Sequence, residues 1–560
     1  MSFLGKCTAH ARRSLLVILT ALAMANLAYS EGSGKIAIKG NTSPALHRAM
    51  LVGHSDPNRV LDIVVGLNVH NEQELRSFIV RETDPASPDY HHFLTPAEFN
   101  ERFAPTPPEA ERVSRYLEAQ GLTVLQVTPN RILIQARGTA AQLEKAFEVT
   151  INDYMLKGER HFSNDRDPSV PVELSATVKS VAGLTSFGRF HSNVGAGPIA
   201  SSTTTPQAIY TPFQIATAYN FPSLNDANHG KTTYDGSGTT VAVVAPYTYD
   251  AVAASFFFQY YGLNRTGSLT TVAVNGGSST VTFEDTLDVE QIGAQATGAN
   301  IVVYDTPDST FANSQLLYNQ IVTDNLAQVI SSSWVACEAD TGSAFISSAE
   351  ATFEQGVAQG MTFFVGSGDL GAFACSDSPS ALAVDYPSSS QYFTAVGGTN
   401  VYLDSTNHIT SETVWDDSIG ASGGGQSSTI PQPSWQKGAG VPTNATRDIA
   451  DVAFDASDIT AFSVYYQGGW YYGYGTSFGG PNWAALWALG IQALNGARTG
   501  NAAPSIYTIG GNDHHTYAST FHDVTSGNNG NYNAITGWDY PTGWGSPNGA
   551  HLVNWMKKHL

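Results

Sequence analysis

Charge is what this sequence has least of. Charged side chains make up only 13% of its 560 residues, about half the share usual in a globular protein. Basic ones nearly vanish after Pro206, where 7 lysines and arginines stand against 28 aspartates and glutamates; before it the signs cancel, 20 against 20. A C-terminal part so poor in cations argues against nucleic acid and anionic membranes as partners, because both are held by lysine and arginine. Cysteine is scarce too, with 3 in all, too few for a disulfide-built scaffold. Beyond residue 28 no apolar run is long enough to span a bilayer.

The one long apolar run, LLVILTALAMANLA at 15–28, follows Lys6, Arg12 and Arg13 and precedes the small-residue site Ala28-Tyr29-Ser30. That is the layout of a secretory signal over residues 1–30, with an N-terminal anchor as the rival reading. A secreted protein is expected, extracellular or periplasmic. Cys7 leaves with the signal, and Cys337 and Cys375 remain, either as one disulfide or as two buried thiols.

The length leaves room for at least two packed units. Residues 60–187 alternate short strands at 60–65 and 131–136 with helical stretches at 72–80 and 107–120, a pattern that suits a compact α+β unit. SNVGAGPIASSTTTPQ, residues 192–207, holds little that could pack and reads as an exposed linker. Beyond it, near-continuous Val, Ile and Phe strands at 240–245, 300–304, 328–332, 361–365 and 393–396 alternate with helices at 289–296, 344–359 and 481–494. This predicts an α/β unit with a predominantly parallel sheet flanked by helices. Functional residues in such sheets gather at the carboxyl ends of strands, where Trp334 and Asp369 fall.

Gly475-Thr476-Ser477-Phe478-Gly479 fits G-x-S-x-G. Pro481 and the apolar run behind it place Ser477 at a helix N-terminus, as a nucleophile served by free amides or as a capping serine. A Ser–His mechanism needs a histidine, and none of His229, His408, His514, His515, His522, His551 and His559 sits where a base announces itself. TFEDTLDVEQIGAQA at 282–296 offers carboxylates instead. Glu284 and Asp288, four apart, share one helix face, while Asp285 and Glu290 point elsewhere. Carboxylates that close raise one another's pKa. The same acids also suit the positive end of a helix dipole.

These blocks, with Ser367-Gly368-Asp369-Leu370-Gly371, VISSSW at 329–334, YPSSSQYFTAVGGT at 386–399 and SGGG at 422–425, resemble the active-site segments of the sedolisins, the kumamolisin-like serine-carboxyl peptidases. Residues 41–187, with SPDYHHFLTPAEFNERF and GTAAQLEKAFEV, resemble that family's activation prosegment. The resemblance implies a subtilisin-like α/β peptidase domain at 211–560, an α+β (ferredoxin-like) prosegment at 31–187, and a linker at 188–210 carrying the maturation cut. It implies Ser477 as nucleophile, Glu284 as its base, Asp288 orienting Glu284, and a protonated Asp369 as oxyanion donor. Ser333 and Trp334 would bind substrate backbone, though Trp334 also fits a core aromatic. The substrate would be a protein or peptide, the prosegment an intramolecular inhibitor and folding aid, and the chain a monomer. An acidic medium suits this set. At about pH 4 a histidine of pKa ~6.5 is protonated and useless as a base, whereas a glutamate near ~4.3 is matched.

Two positions depart from the family pattern: Tyr474 stands where serine is usual, and Leu370 replaces a commoner serine. FHDVTSGNNGNYNAITGWDYPTGWGSPNG at 521–549 resembles the family's calcium loop. The resemblance implies one structural Ca2+ held by the carboxylates of Asp523 and Asp539 and the carbonyls of Val524, Ile535 and Gly537; a metal-free Asn/Gly turn cluster is the alternative. Two further readings compete for function. One is an α/β-hydrolase esterase pairing Ser477 with His522 or His551; the other is an inactive homologue that binds peptides.

Overall fold

The computed structural model describes residues 34–192, 194–199, 206–223, 234–375, 380–512 and 514–560. The signal at 1–30 and His229 lie outside the described residues.

The N-terminal unit, expected as the prosegment, is built on four antiparallel strands. Strand β1 (Val60–Leu67) leads to helices α1 (Glu72–Glu82) and α2 (Pro107–Ala119); β2 (Thr123–Val127) and β3 (Leu133–Thr139) lead to α3 (Ala140–Phe147), and β4 (Val178–Ala182) completes a sheet of order β2-β3-β1-β4. This is the ferredoxin-like α+β order. Local sequence explains the turn from β3 into α3. Thr139 accepts a bond from the Gln142 amide, and the Gln142 side chain accepts one from the Thr139 amide, a reciprocal cap. Leu143, Ala146 and Phe147 then face inward onto Leu61, Ile63 and Val65.

Two short strands, β5 (His191–Ser192) and β6 (Gly195–Pro198), follow the prosegment. The large domain runs through β7 (Thr240–Ala245), β8 (Leu269–Ala273), α4 (Phe283–Gln295), β9 (Asn300–Asp305), α5 (Phe311–Asp324), β10 (Val329–Ser332), β11 (Trp334–Cys337), α6 (Ser343–Ala358), β12 (Thr362–Gly366), β13 (Phe393–Leu403), β14 (Ile409–Val414) and β15 (Val452–Asp455). The hairpin of β16 (Thr460–Tyr466) and β17 (Gly469–Tyr474) and the helix α7 (Gly479–Ala493) come after them. The main sheet has the order β8-β9-β7-β10-β12-β13-β14, with β15 also on β13, and only the β13–β14 pairing is antiparallel.

Alternation along β7 shows why both faces are covered. Val241, Val243 and Ala245 point into one core with α4 and α7, while Ala242 and Val244 point into another with α5 and α6. The second core is shared with the prosegment, which contributes Leu75, Phe78, Phe99 and Phe103. At its edge Arg76 Nε donates to Glu354 Oε1 at 2.8 Å, and Asn130 Nδ2 donates to Gln355 Oε1 at 2.8 Å. The two units therefore fold against each other.

Two sequence expectations change. Helix α4 begins at Phe283, earlier than the apolar pattern implied, because Thr282 caps it by accepting from the Asp285 amide at 3.1 Å. The stretch after Ser192 is not a free tether at its start. β5 pairs with β11 and β6 with β17, both antiparallel. Backbone pairing asks nothing of side chains, so a glycine-rich composition hides it.

Candidate active site

The first turn of α4 and the turn between β17 and α7 meet at the end of the main sheet. Ser477 lies in a single tight turn, Thr476–Phe478, entered through Gly475 at φ 123°, a left-handed conformation that favours glycine. Its Oγ donates to Glu284 Oε2 at 3.0 Å, and both residues are almost wholly buried. The capping alternative fails: Phe478 occupies the N-cap of α7, with no side-chain cap.

Asp288 lies one turn further along α4. Ser333 Oγ donates to its Oδ1 at 2.7 Å. Glu284 Oε1 and Asp288 Oδ2 have no hydrogen-bond partner among the described residues. Burial pushes both carboxyls well above the usual range; the charge of Asp288 pushes Glu284 further, and the Ser477 bond opposes it. Two acids so placed titrate as a pair, and the one that is ionised can take a proton from a neighbouring hydroxyl.

Asp285 does point elsewhere, into a bond the sequence did not reveal. The Trp334 indole donates to its Oδ1 at 3.0 Å and Thr282 Oγ1 to its Oδ2 at 2.7 Å, while burial raises the carboxyl to about 7. Trp334 is thus buried and hydrogen-bonded, and it braces the helix that carries the acid pair. Glu290 turns to the Tyr465 amide at 3.2 Å.

Asp369, in the loop after β12, accepts at Oδ1 from the Thr476 amide at 2.8 Å and from Thr476 Oγ1 at 2.7 Å. Burial raises it to about 7 against the pull of those bonds. In acid it carries a proton and can donate it beside Ser477. Thr476, which sequence reasoning passed over, ties the aspartate to the serine turn; its place between Gly475 and Ser477 was the available signal. Cys337 and Cys375 are joined, linking β11 to this same loop.

The segment after the prosegment crosses this constellation. His191 pairs with Val335 and Ser192 with Trp334 on one side; Gly195 pairs with Tyr474 and Pro198 with Tyr471 on the other. Val194, between them, packs against the core. The described residues on either side of position 193 are thus strand-paired, one pair next to Ser333 and the other three residues before Ser477.

His522 lies in a short strand paired with Ser546, and His551 stands exposed on the C-terminal helix Gly549–His559. Neither bonds Ser477. In the 521–549 loop, the Gly537 amide donates to both oxygens of Asp523 at 3.2 and 3.1 Å, and the Ile535 amide donates to Asp539 Oδ2 at 2.9 Å. Thr542 holds Asp539 Oδ1 through its amide and hydroxyl. Asp539 is buried, and neither acid forms an ion pair among the described residues. One loop thus gathers two carboxylates and carries the carbonyls of Val524, Ile535 and Gly537 expected as further ligands, and oxygen donors of this kind are those a calcium ion takes.

Residues 47–187 match the pro-kumamolisin activation domain. The chain is 32% identical to sedolisin from Pseudomonas sp. (strain 101), over 89% of this chain and 87% of that protein. It is 30% identical to kumamolisin from Bacillus sp. (strain MN-32), over 79% and 82%. A solved structure of Pseudomonas sedolisin, described as a serine-carboxyl proteinase complexed with two molecules of pseudo-iodotyrostatin, aligns with a TM-score of 0.55 at 32% identity, over 64% of this chain and 100% of that one.

Proposed function

The chain belongs to the sedolisin family of serine-carboxyl peptidases, and from that premise we propose that it is an exported zymogen that hydrolyses peptide bonds in acid through Ser477, Glu284, Asp288 and Asp369. The observation that carries this reading is the 3.0 Å bond from the Ser477 hydroxyl to Glu284. As Ser477 Oγ attacks the scissile carbonyl carbon, its proton passes to Glu284 Oε2. When the C–N bond breaks, that proton goes to the leaving amine. Water then attacks the acyl-serine ester, and Glu284 takes its proton and returns one to Oγ. Asp288, steadied by Ser333, shares a proton with Glu284 and so sets when Glu284 is free to act as base. Protonated Asp369 donates to the oxyanion.

Strand pairing on either side of Ser477 supports self-processing, with the maturation cut between Ser192 and Gly195. The prosegment would then be both folding partner and inhibitor, a reading supported by the pairing of β5 and β6, in the chain leaving it, on either side of the serine. A calcium ion on Asp523, Asp539 and the carbonyls of Val524, Ile535 and Gly537 would pin the C-terminal loop, a structural charge remote from the reacting atoms. The chain is read as a monomer, and residues 1–30 as its export signal.

Acidifying the purified full-length chain tests the reading. Wild type should shorten, exposing a new N-terminus between residues 193 and 195, and then cleave added peptides. Ser477→Ala should stay at full length under the same conditions. Equal shortening of both proteins would overturn the assignment.

A further inference from the structure

Tyr474 occupies the position where the family pattern has a small polar residue, and the strand that crosses the cleft shows what the change does. Gly195 lies directly opposite Tyr474 and Gly197 directly opposite Tyr472 in the antiparallel β6–β17 pair. Directly opposed residues in such a pair project their side chains onto the same face. Here each tyrosine ring folds over its facing glycine. A β-carbon at Gly195 would lie 2.0 Å from Tyr474 Cζ and 2.3 Å from its Oη; one at Gly197 would lie 2.4 Å from Tyr472 Oη and 2.5 Å from its Cζ.

Backbone conformation does not explain these glycines, since neither has a positive φ. Any residue could follow the same path; what the site lacks is room for a side chain. The rings also have aromatic neighbours. They stack on each other with centroids 6.4 Å apart and planes 18° from parallel, and Tyr474 meets the edge of the fully buried Trp415 at 6.5 Å. Ala196, between the two glycines, faces the other way and is exposed.

We propose that Tyr474 and Tyr472 are specificity-determining residues: a stacked aromatic floor on the leaving-group side of the cleft that admits glycine, and poorly anything larger, at two substrate positions two residues apart. The proposal rests on the peptidase reading and on the substrate taking the path of β6. The substrate class is a protein segment with small residues at alternate positions after the cut bond. Because Gly195 follows the cut by at most three residues, the first of the two positions falls within the first three leaving-side residues.

The test uses the full-length chain after processing in acid, supplied with peptides randomised at five consecutive leaving-side positions, with cleavage read by mass spectrometry. Glycine should exceed leucine and phenylalanine at least about tenfold in kcat/KM at two positions two apart, with no such preference at the residue between them. Tyr474→Ser should reduce the preference nearer the cut to below about threefold and leave the farther one, while Tyr472→Ser should do the reverse. Equal rates for glycine and leucine at both positions, or variants that slow every peptide alike, would overturn this proposal and leave the peptidase reading standing. A wild-type chain that cleaves none of the peptides would overturn both.

Discussion

Two pairs of acids stand in a domain that has almost no cations to neutralise them, and their neighbours give them opposite capacities. Glu284 and Asp288 are met by the hydroxyls of Ser477 and Ser333. Hydroxyls can give up and take back a proton, so this pair can move one. Asp523 and Asp539 are met by the amides of Gly537 and Ile535 and, at Asp539, by the amide and hydroxyl of Thr542 as well. Among the described residues no serine hydroxyl bonds that second pair, and the role proposed for it is to hold a cation rather than to pass a proton. What the comparison teaches is that the partner, more than the carboxylate, decides the chemistry.

Asp369 offers the largest way to sharpen this contrast, because its partners are a hydroxyl and an amide from the same residue. Asp369→Ala should lower kcat/KM by roughly 10²–10³, the cost of one oxyanion donor. Asp369→Asn keeps a donor that cannot ionise. Burial raises the wild-type carboxyl to about 7, so it donates below that pH and ceases to as pH rises through it. The wild-type pH–rate profile should therefore fall on its alkaline side near 7, and Asp369→Asn should lose that limb while keeping more activity than Asp369→Ala.

The Asp523–Asp539 pair, proposed to bind metal, should answer to calcium and leave the bond-breaking step alone. Calcium at about one hundred times its dissociation constant should stabilise the fold by about 2.7 kcal/mol, read as a rise in Tm. Asp539→Asn should abolish that rise without shifting the pH profile of peptide cleavage. A calcium-independent Tm in wild type would break the comparison.

Glu354 supplies the smallest and most useful control, a buried acid that does have a cation. Its carboxylate meets Arg76 of the prosegment at 2.8 Å, and the Arg76 side chain is about half exposed. Arg76→Ala should speed acid processing by about two- to fivefold, in keeping with a partly screened pair, with the kcat/KM of the processed enzyme unaltered. Band intensity against time on a gel reads it.

The four residues proposed to act were legible in the sequence because each sits in a short block whose geometry is local. Ser477 is held by Gly475 and the helix behind it, Glu284 and Asp288 by one helical turn, Asp369 by the loop after a strand. The parallel sheet was legible for the same reason, from its near-continuous apolar strands. Contacts made across the chain left no such trace. Nothing in the neighbourhood of Trp334 announces that its indole will reach Asp285, 49 residues earlier. Nothing in the spacing of Cys337 and Cys375 decides that they pair. The seating of β5 and β6 in the cleft is invisible for a further reason. It is made by backbone groups, and its glycines read as slack until the tyrosines opposite them are in view.

The pH–rate profile of Glu284→Gln beside wild type, measured as kcat/KM for one peptide from about pH 3 to pH 8 on chain processed in trans, tests most directly whether a carboxylate serves the serine. The amide cannot accept the hydroxyl proton, so activity should drop by about 10²–10⁴ at every pH, with Ser477 still in place and the fold intact by Tm. Activity within threefold of wild type across that range would contradict the account.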